Sequence, residues 1–350
     1  MGGTQKTGTK RSVVVMTVLF ALLLLLMCLC VLCGSVDIAP GAVVDIVLGR
    51  GSENSAWEVI VLKSRLPMML TAMLAGAALS VSGLLLQTAF NNPLAGPSIL
   101  GVSSGAGLGV AVVMLAMGNT IGGMAGESMG GYVATLTGAL LGAGAVLGLL
   151  MLFSLMLQSS AMLLILGILV SYLTSSVVSL LNSIASEDGV KNYVAWGFGN
   201  FSSVGVEQLP LFASVTAAGL VAAMLLVKPL NALLLGTRYA ENLGVDTRRT
   251  RNELLLVTGV LTAVVTAYCG PVGFVGLVVP HMARLALNTS DHARLMPATL
   301  LAGADVTLLC TLISVTNEHG VIPINAITPI IGVPIIIYVI LNRKRIRYFN

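Results

Sequence analysis

Charge is what this sequence has least of. Only 9% of its 350 residues are Asp, Glu, Lys or Arg, 56% are hydrophobic, and the mean hydropathy is +0.98. So little polar surface cannot cover a core of this size in water, which excludes a soluble globule and leaves a polytopic membrane protein. Aromatic residues are scarce too, at 5%. The long Leu, Ala, Val and Gly blocks lack the apolar/polar alternation of a transmembrane barrel, so the fold class is all-α. His281, His292 and His319 stand in separate contexts, without the clustered His, Asp and Glu of a membrane-embedded enzyme. The cysteines Cys28, Cys30, Cys33, Cys269 and Cys310 match no zinc or thioredoxin spacing and read as small buried hydrophobes. No metal or cofactor is expected in the chain. A glycine-rich phosphate loop followed by Lys-Ser or Lys-Thr is also missing, so any ATP and Mg²⁺ chemistry belongs to a partner.

What is present is glycine, 39 residues of it, and apolar runs of spanning length. Gly138/Gly142 and Gly144/Gly148 have the four-residue spacing that lets helix backbones approach in lipid, and Ala72, Gly76 and Ser80 form a small-residue face. The run Ser12 to Cys33 follows Lys6, Lys10 and Arg11, has no small-residue cleavage site, and is expected to be a retained first span. A polar loop from Gly34 to about Glu58 leads to a second span from Trp57 towards Gln87. Further spans are expected at Ser98–Met117, Met129–Leu157, Ser160–Ile184, Glu207–Val227, Asn252–Cys269, Phe274–Leu287, Leu295–Thr316 and Pro323–Leu341. The total is about ten. Lys191 to Ser203 is too short to span and is expected at an interface. Lys10, Arg11, Arg284, Arg294, Arg343, Lys344, Arg345 and Arg347 fall on one face, whereas Asp37, Asp45, Glu53, Glu127, Glu187, Asp188 and Glu318 fall on the other. The positive-inside rule then places both termini in the cytoplasm.

One stretch breaks the apolar pattern. Lys228 to Arg251, KPLNALLLGTRYAENLGVDTRRTR, carries Arg238, Glu241, Asp246, Arg248, Arg249 and Arg251 and must lie in water, on the same cytoplasmic face. A helix from Asn231 to Asn242 would bring Leu233, Leu234 and Leu235 near Tyr239. Gly244 would end it with a positive φ and turn the chain into the next helix, so the stretch reads as a helical elbow. A second irregular stretch, QTAFNNPLAGPSILGVSSGAG from Gln87 to Gly107, is broken at Asn91, Asn92, Pro93 and Pro97 and then exposes Ser103 and Ser104. Broken polar backbone of this kind is tolerated in a membrane where it lines a cavity or is buried in protein.

These two stretches, with GPVGFVGLVVPHMARL (Gly270 to Leu285), DHARLMPATLLAGA (Asp291 to Ala304) and the terminal IPINAITPIIGVPIIIY, closely resemble the FecCD-type permeases of ABC importers for ferric siderophores, haem and cobalamin. The resemblance runs from Arg65 onward. It implies a single transmembrane permease domain over residues 1–350 that pairs with a second copy of itself in the bacterial inner membrane. Two ATP-binding cassette subunits and a periplasmic substrate-binding protein are the implied partners, besides membrane lipid; nucleic acid is not among them. It also implies that Arg238, Glu241, Leu243 and Gly244 couple to the ATPase, and that Asn92 and Leu94, with Ser159 and Ser160, form the cytoplasmic gate. Ser103 and Ser104, read from the hydroxyl density of the broken corner, are grouped with these as gate or pathway residues.

The chain departs from the family pattern at its outer face. Met68 and Val315 stand where arginines are usual, Thr311 where an Asp is usual, and Val321, Ile322, Pro323, Ile324 and Asn325 replace Glu-Leu-Pro-x-Gly. Docking of the binding protein is therefore expected to rest on Arg65, with Lys63 beside it, and on contacts from Glu318 and His319. Asp305 is expected to find a polar partner in His281, Arg284 or a backbone group, because an unpaired carboxylate at depth is costly. The competing reading is a secondary transporter driven by an ion gradient. It would need paired mid-membrane carboxylates and an inverted repeat, and the sequence offers Asp305 and no evident repeat.

Overall fold

The computed structural model describes residues 2–52, 54–116, 129–157, 159–316 and 320–341, and every regular element among them is helical. Glu53, Glu127, Glu318, His319, Arg343, Lys344, Arg345 and Arg347, on which part of the charge partition and of the docking expectation rests, lie outside the described residues.

The chain opens with α1 (Gly2–Leu32), followed by a short helix, α2 (Pro40–Val47), that turns Val43 and Ile46 inward. Asn54 accepts a hydrogen bond from the Ala56 N–H (3.0 Å) and so starts α3 (Ser55–Val59). A π-helical turn, Ile60–Arg65, carries the chain into α4 (Leu66–Ala89). After the Asn91–Gly96 corner, a 3₁₀ turn (Pro97–Leu100) precedes α5 (Val102–Ala111), which continues through a π turn to Ala116. Then come α6 (Met129–Met156), α7 (Ser160–Ile184) and α8 (Glu187–Gly197), the last capped by Ser186. The elbow region holds α9 (Leu209–Leu225), α10 (Val227–Leu233) and α11 (Thr237–Asn242). The chain finishes with α12 (Thr247–Cys269), α13 (Val275–Leu287), α14 (His292–Val315) and α15 (Ile324–Leu341).

Six of the described helices are long and apolar enough to cross a membrane, or seven if α9 and α10, bent by 49° at their junction, form one span. The expected segments are all helical, but Val102–Ala116, Val275–Leu287 and Ile324–Val339 are shorter than a full crossing. Proline, glycine and the polar corners cut them, leaving about 20–24 Å of rise against a hydrocarbon core of about 30 Å.

The centre of the bundle is α4, buried almost along its whole length. Its small-residue face meets α14: the Thr307 hydroxyl donates to the Ala72 carbonyl (2.7 Å), and the Ser80 hydroxyl lies 3.0 Å from the Thr299 carbonyl. Between them a Cβ on Gly76 or Gly303 would fall on the opposite backbone. Lipid tails are as apolar as leucine, so such helices are held by close backbone approach and interhelical hydrogen bonds. Gly138 and Gly142 of α6 meet Gly109 and Gly105 of α5 in the same way, whereas Gly144 and Gly148 face open space and do not pack. Among the cysteines, Cys30, Cys269 and Cys310 are buried as expected; Cys28 is exposed on α1.

Candidate functional site

The elbow is shaped by two glycines. Gly236 (φ +97°) interrupts the single helix expected from Asn231 to Asn242 and divides it into α10 and α11. At the end of α11, the Val245 N–H bonds the Ala240 carbonyl (3.0 Å) and the Gly244 N–H bonds the Glu241 carbonyl (2.9 Å), with Gly244 at φ +84°. That paired bonding is a Schellman closure, which needs a left-handed residue where Gly244 stands. Asp246 then caps α12 by accepting from the Arg249 N–H (2.9 Å). The Glu241 carboxylate accepts from the Thr247 hydroxyl (2.8 Å), pinning α11 to the first turn of α12. Arg238, Glu241, Arg248 and Arg251 border a recess of about 370 Å³, floored by Leu233 and Ala89. Arg251 also donates to the carbonyls of Ser154 (2.7 Å) and Leu157 (3.0 Å), satisfying the end of α6. On the outside of the elbow Leu235, Tyr239 and Leu243 are 54%, 56% and 58% exposed. Tyr239 and Leu243, four residues apart on α11 and its C-cap, with Leu235 just before the Gly236 break, make an exposed apolar ridge on an otherwise charged surface, the form of a protein-docking element.

The Asn91–Gly96 corner sits over a layer of buried polar groups. The Asn92 carboxamide accepts from the Leu94 N–H (3.0 Å), which leaves Leu94 45% exposed at the tip. Beneath it His281 Nε2 lies 2.7 Å from the Pro93 carbonyl, so this nitrogen carries the proton. Arg284 donates to Gln87 Oε1, which orients the Gln87 amide nitrogen to donate to the Leu277 carbonyl (3.2 Å). The 3.4 Å approach of that amide nitrogen to His281 Nε2 then brings two donors together and is a contact, not a bond. One residue along α4, Thr88 lies 2.8 Å from His292 Nε2. His292 Nδ1 donates to the Asn231 carboxamide of α10 (2.9 Å), and Asn231 donates to Asp291 (2.8 Å). The two histidines read as standing in separate contexts thus lie against adjacent residues of α4, His281 in contact with Gln87 and His292 in hydrogen-bond reach of Thr88. Sequence reasoning assigned neither Gln87 nor Thr88 a role; the only signal was their place at the start of the broken polar run.

Asp305 is not part of this layer. It is 4% exposed, and neither carboxylate oxygen has a hydrogen-bond partner among the described residues. The expected pairing with His281 or Arg284 is overturned, since those side chains are engaged at Pro93 and Gln87. The three also differ in depth. Asp305 lies about 20 Å along α14 from His292, whereas His281 is only about 9 Å from the Leu287 end of α13.

A cavity of about 480 Å³ opens between α5, α7 and α8, walled by Ser98, Ser103, Ser104, Thr174, Ser175, Ser179, Tyr193 and Trp196. Hydroxyls, the Tyr193 and Trp196 rings and apolar groups such as Val178, Val194 and Pro271 line it, without a carboxylate, ammonium or guanidinium among the described residues. Ser103 also reaches the Thr266 hydroxyl of α12 (3.1 Å). The structure places Ser103 and Ser104 in this cavity wall, apart from Ser159. Ser159 caps the start of α7 (3.5 Å to the Met162 N–H), while the hydroxyls facing Ser103 and Ser104 lie about 21–28 Å further along that helix. The side chain of Ser160 is outside the described set.

Arg65 overturns a further expectation. It is 3% exposed and points inward, where its guanidinium donates to the carbonyls of Val31 (2.8 Å), Leu32 (2.7 Å) and Val36. The last turn of α1 has carbonyls without intrahelical donors, and Arg65 satisfies them at the negative end of that helix. A Cβ on Gly34 would lie 2.8 Å from the guanidinium, so the glycine makes room for it. A side chain so committed does not meet a soluble partner. Lys63, two residues earlier, is exposed.

The chain is similar to known permeases over nearly its whole length. The FecCD transport family matches residues 22–342. The vitamin B12 import system permease protein BtuC of Salmonella paratyphi A is 34% identical over 328 residues, covering 93% of this chain and 94% of that protein. The protein of the same name from Citrobacter koseri is 33% identical over 338 residues, 96% of each. Among solved structures, an inward-facing conformation of a metal-chelate type ABC transporter superposes with a TM-score of 0.80 at 30% identity, over 94% of this chain and 98% of that one.

Proposed function

The chain belongs to the FecCD transport family, and from that premise we propose that it is the permease subunit of a binding-protein-dependent ABC importer. With a second copy of itself it forms a pathway through the bacterial inner membrane for a chelate of the ferric-siderophore, haem or cobalamin type. The observation that carries this reading is the elbow: an apolar ridge of Leu235, Tyr239 and Leu243, set by glycine turns and backed by Arg238 and Glu241, on a chain without a phosphate loop. Two ATP-binding cassette subunits dock there and supply the energy.

In this reading α5, α13 and α15 complete ten passes, with both termini and the elbow in the cytoplasm. Asn92 and Leu94, with Ser159 and Ser160, guard the cytoplasmic mouth, and the layer of Gln87, His281 and Arg284 supports that corner. Ser103 and Ser104 belong to the cavity above it. A wall of hydroxyls and aromatic rings suits an uncharged chelate rich in amide or hydroxamate groups, because a polyanion would lose hydration there without a cation among the described lining residues to replace it. Lys63, not Arg65, remains as the cation near the outer end of α4 for a binding protein.

The test is reconstitution of the complex in proteoliposomes with its ATPase and binding protein, followed by uptake of labelled ferric trihydroxamate, cobalamin and haem. ATP-dependent uptake of a neutral chelate is the expected result. Uptake that follows an imposed ion gradient and ignores ATP would overturn the assignment.

A further inference from the structure

One side chain holds the outer wall of the cavity together. Asn325, near the start of α15, donates from Nδ2 to the carbonyls of Gly197 (2.9 Å) at the end of α8 and Pro271 (2.6 Å) in the link between α12 and α13. Its Oδ1 accepts from the Gly273 N–H (3.1 Å), and its own N–H donates to the Phe198 carbonyl (3.1 Å). Both donors of the carboxamide and its acceptor are therefore used, each on backbone. Gly197 and Pro271 are themselves cavity wall. The residue read in the sequence as a lost piece of the outer-face pattern is a staple behind that wall.

The staple ties together a seam built largely of backbone. Beside Gly273, Phe274 sits at φ +65°, ψ −32°, with the Val275 N–H 2.8 Å from the Gly273 carbonyl. This is a γ-turn of the rare positive-φ kind on a bulky residue, a conformation that persists only when its surroundings enforce it. Across the seam Gly199 (φ +72°) and Gly270 (φ +74°) face each other as bare backbone; a Cβ on Gly199 would lie 2.9 Å from the Pro271 carbonyl. The seam is further closed by a bond from the Asn200 N–H to the Cys269 carbonyl (2.8 Å). Its integrity depends on a few hydrogen bonds, most of them made by one residue.

We propose that Asn325 is a latch that positions α8 against the α12–α13 link and keeps the cavity closed towards the outer side. Releasing it lets α8, with Tyr193 and Trp196, move away from Pro271 and admit substrate. This rests on the pathway and topology given under Proposed function. Asn325 is a positioning residue: it touches no substrate and acts through the wall.

The test uses the full complex in a background with the five native cysteines replaced and Ser104→Cys as the reporter in the cavity wall. Labelling by a membrane-impermeant maleimide is timed in right-side-out and inside-out vesicles. Asn325→Asp keeps the acceptor but removes both donors and sets a carboxylate against two carbonyls. Asn325→Gly removes every side-chain bond, adds no charge and carries the same comparison if the aspartate variant does not assemble. Both variants are expected to label from outside at least about tenfold faster than the parent, since each of the two or three lost hydrogen bonds is by itself worth up to about tenfold at ordinary net strength, with labelling from inside unchanged. An outside rate equal to the parent's, in variants with the parent's size-exclusion profile, overturns the latch. Acceleration confined to the inner side overturns the proposed topology instead, and the two failures are thereby told apart.

Discussion

Replacing Gly244 by valine isolates the elbow from the rest of the molecule. Gly244 holds φ +84° as the closing residue of the α11 turn, and a Cβ built there meets nothing within 4 Å. The substitution therefore creates no clash, and its whole cost is the intrinsic one of placing an L-residue in the left-handed region, about 1 kcal/mol for alanine and about 2 kcal/mol for a β-branched side chain. Since 1.4 kcal/mol is tenfold in an equilibrium, the closed turn should lose about fivefold in population against its alternatives for Ala and about 30-fold for Val. Leu243 precedes the turn and belongs to the ridge, so the loss should appear as weaker ATPase docking by similar factors. The assay is the affinity of the purified ATPase subunit for nanodisc-embedded permease, with substrate-stimulated hydrolysis alongside. The thermal midpoint of the permease should stay within error of the parent, because α10 and α11 bury only Leu230 and Ala240. Parent affinity in Gly244→Val would refute the reasoning. So would an affinity loss that appears only together with a fall in the midpoint.

Arg65→Met removes the bonds to Val31, Leu32 and Val36 and should destabilise the permease by about 3 kcal/mol, seen as a lower thermal midpoint; capture of the loaded binding protein by the surviving complex should not change, and a capture defect without instability would restore an outward role. Gly303→Val drives a branched side chain onto the Gly76 backbone and Ser80 and should cost about 3 kcal/mol or more, with loss of assembled protein on size exclusion. Gly144→Val, into open space, is its tolerated control, and equal behaviour of the two would remove the close-packed seam from the account. Asp305→Asn discards an unpartnered buried carboxylate, so stability should hold or rise and uptake should persist; loss of uptake in a well-folded variant would place Asp305 in the pathway.

What the sequence determined by itself was whatever depends on neighbours along the chain. Apolar runs identify helices in lipid, and Gly244 marks the end of an elbow helix. The run of motifs from Gln87 to Tyr338 identifies the family. Punctuation of this kind is local, so it survives without coordinates. The faces of the helices were not legible in the same way. In water a helix shows its buried side by contrast with a polar one; a helix such as α4 or α6 is apolar all round, and its sequence does not say which side meets protein and which meets lipid. Gly138 and Gly142 found partners while Gly144 and Gly148, at the same spacing, did not. Arg65 was read as outward because the family's docking pattern has an arginine there, yet the unsatisfied carbonyls of α1, more than thirty residues earlier in the chain, turned it inward. Gln87, Thr88, His281 and His292 became one layer, Ser103 parted from Ser159, and Asn325 became a staple, because each depends on contacts between helices remote in sequence. Only the packed bundle brings those partners within hydrogen-bonding reach.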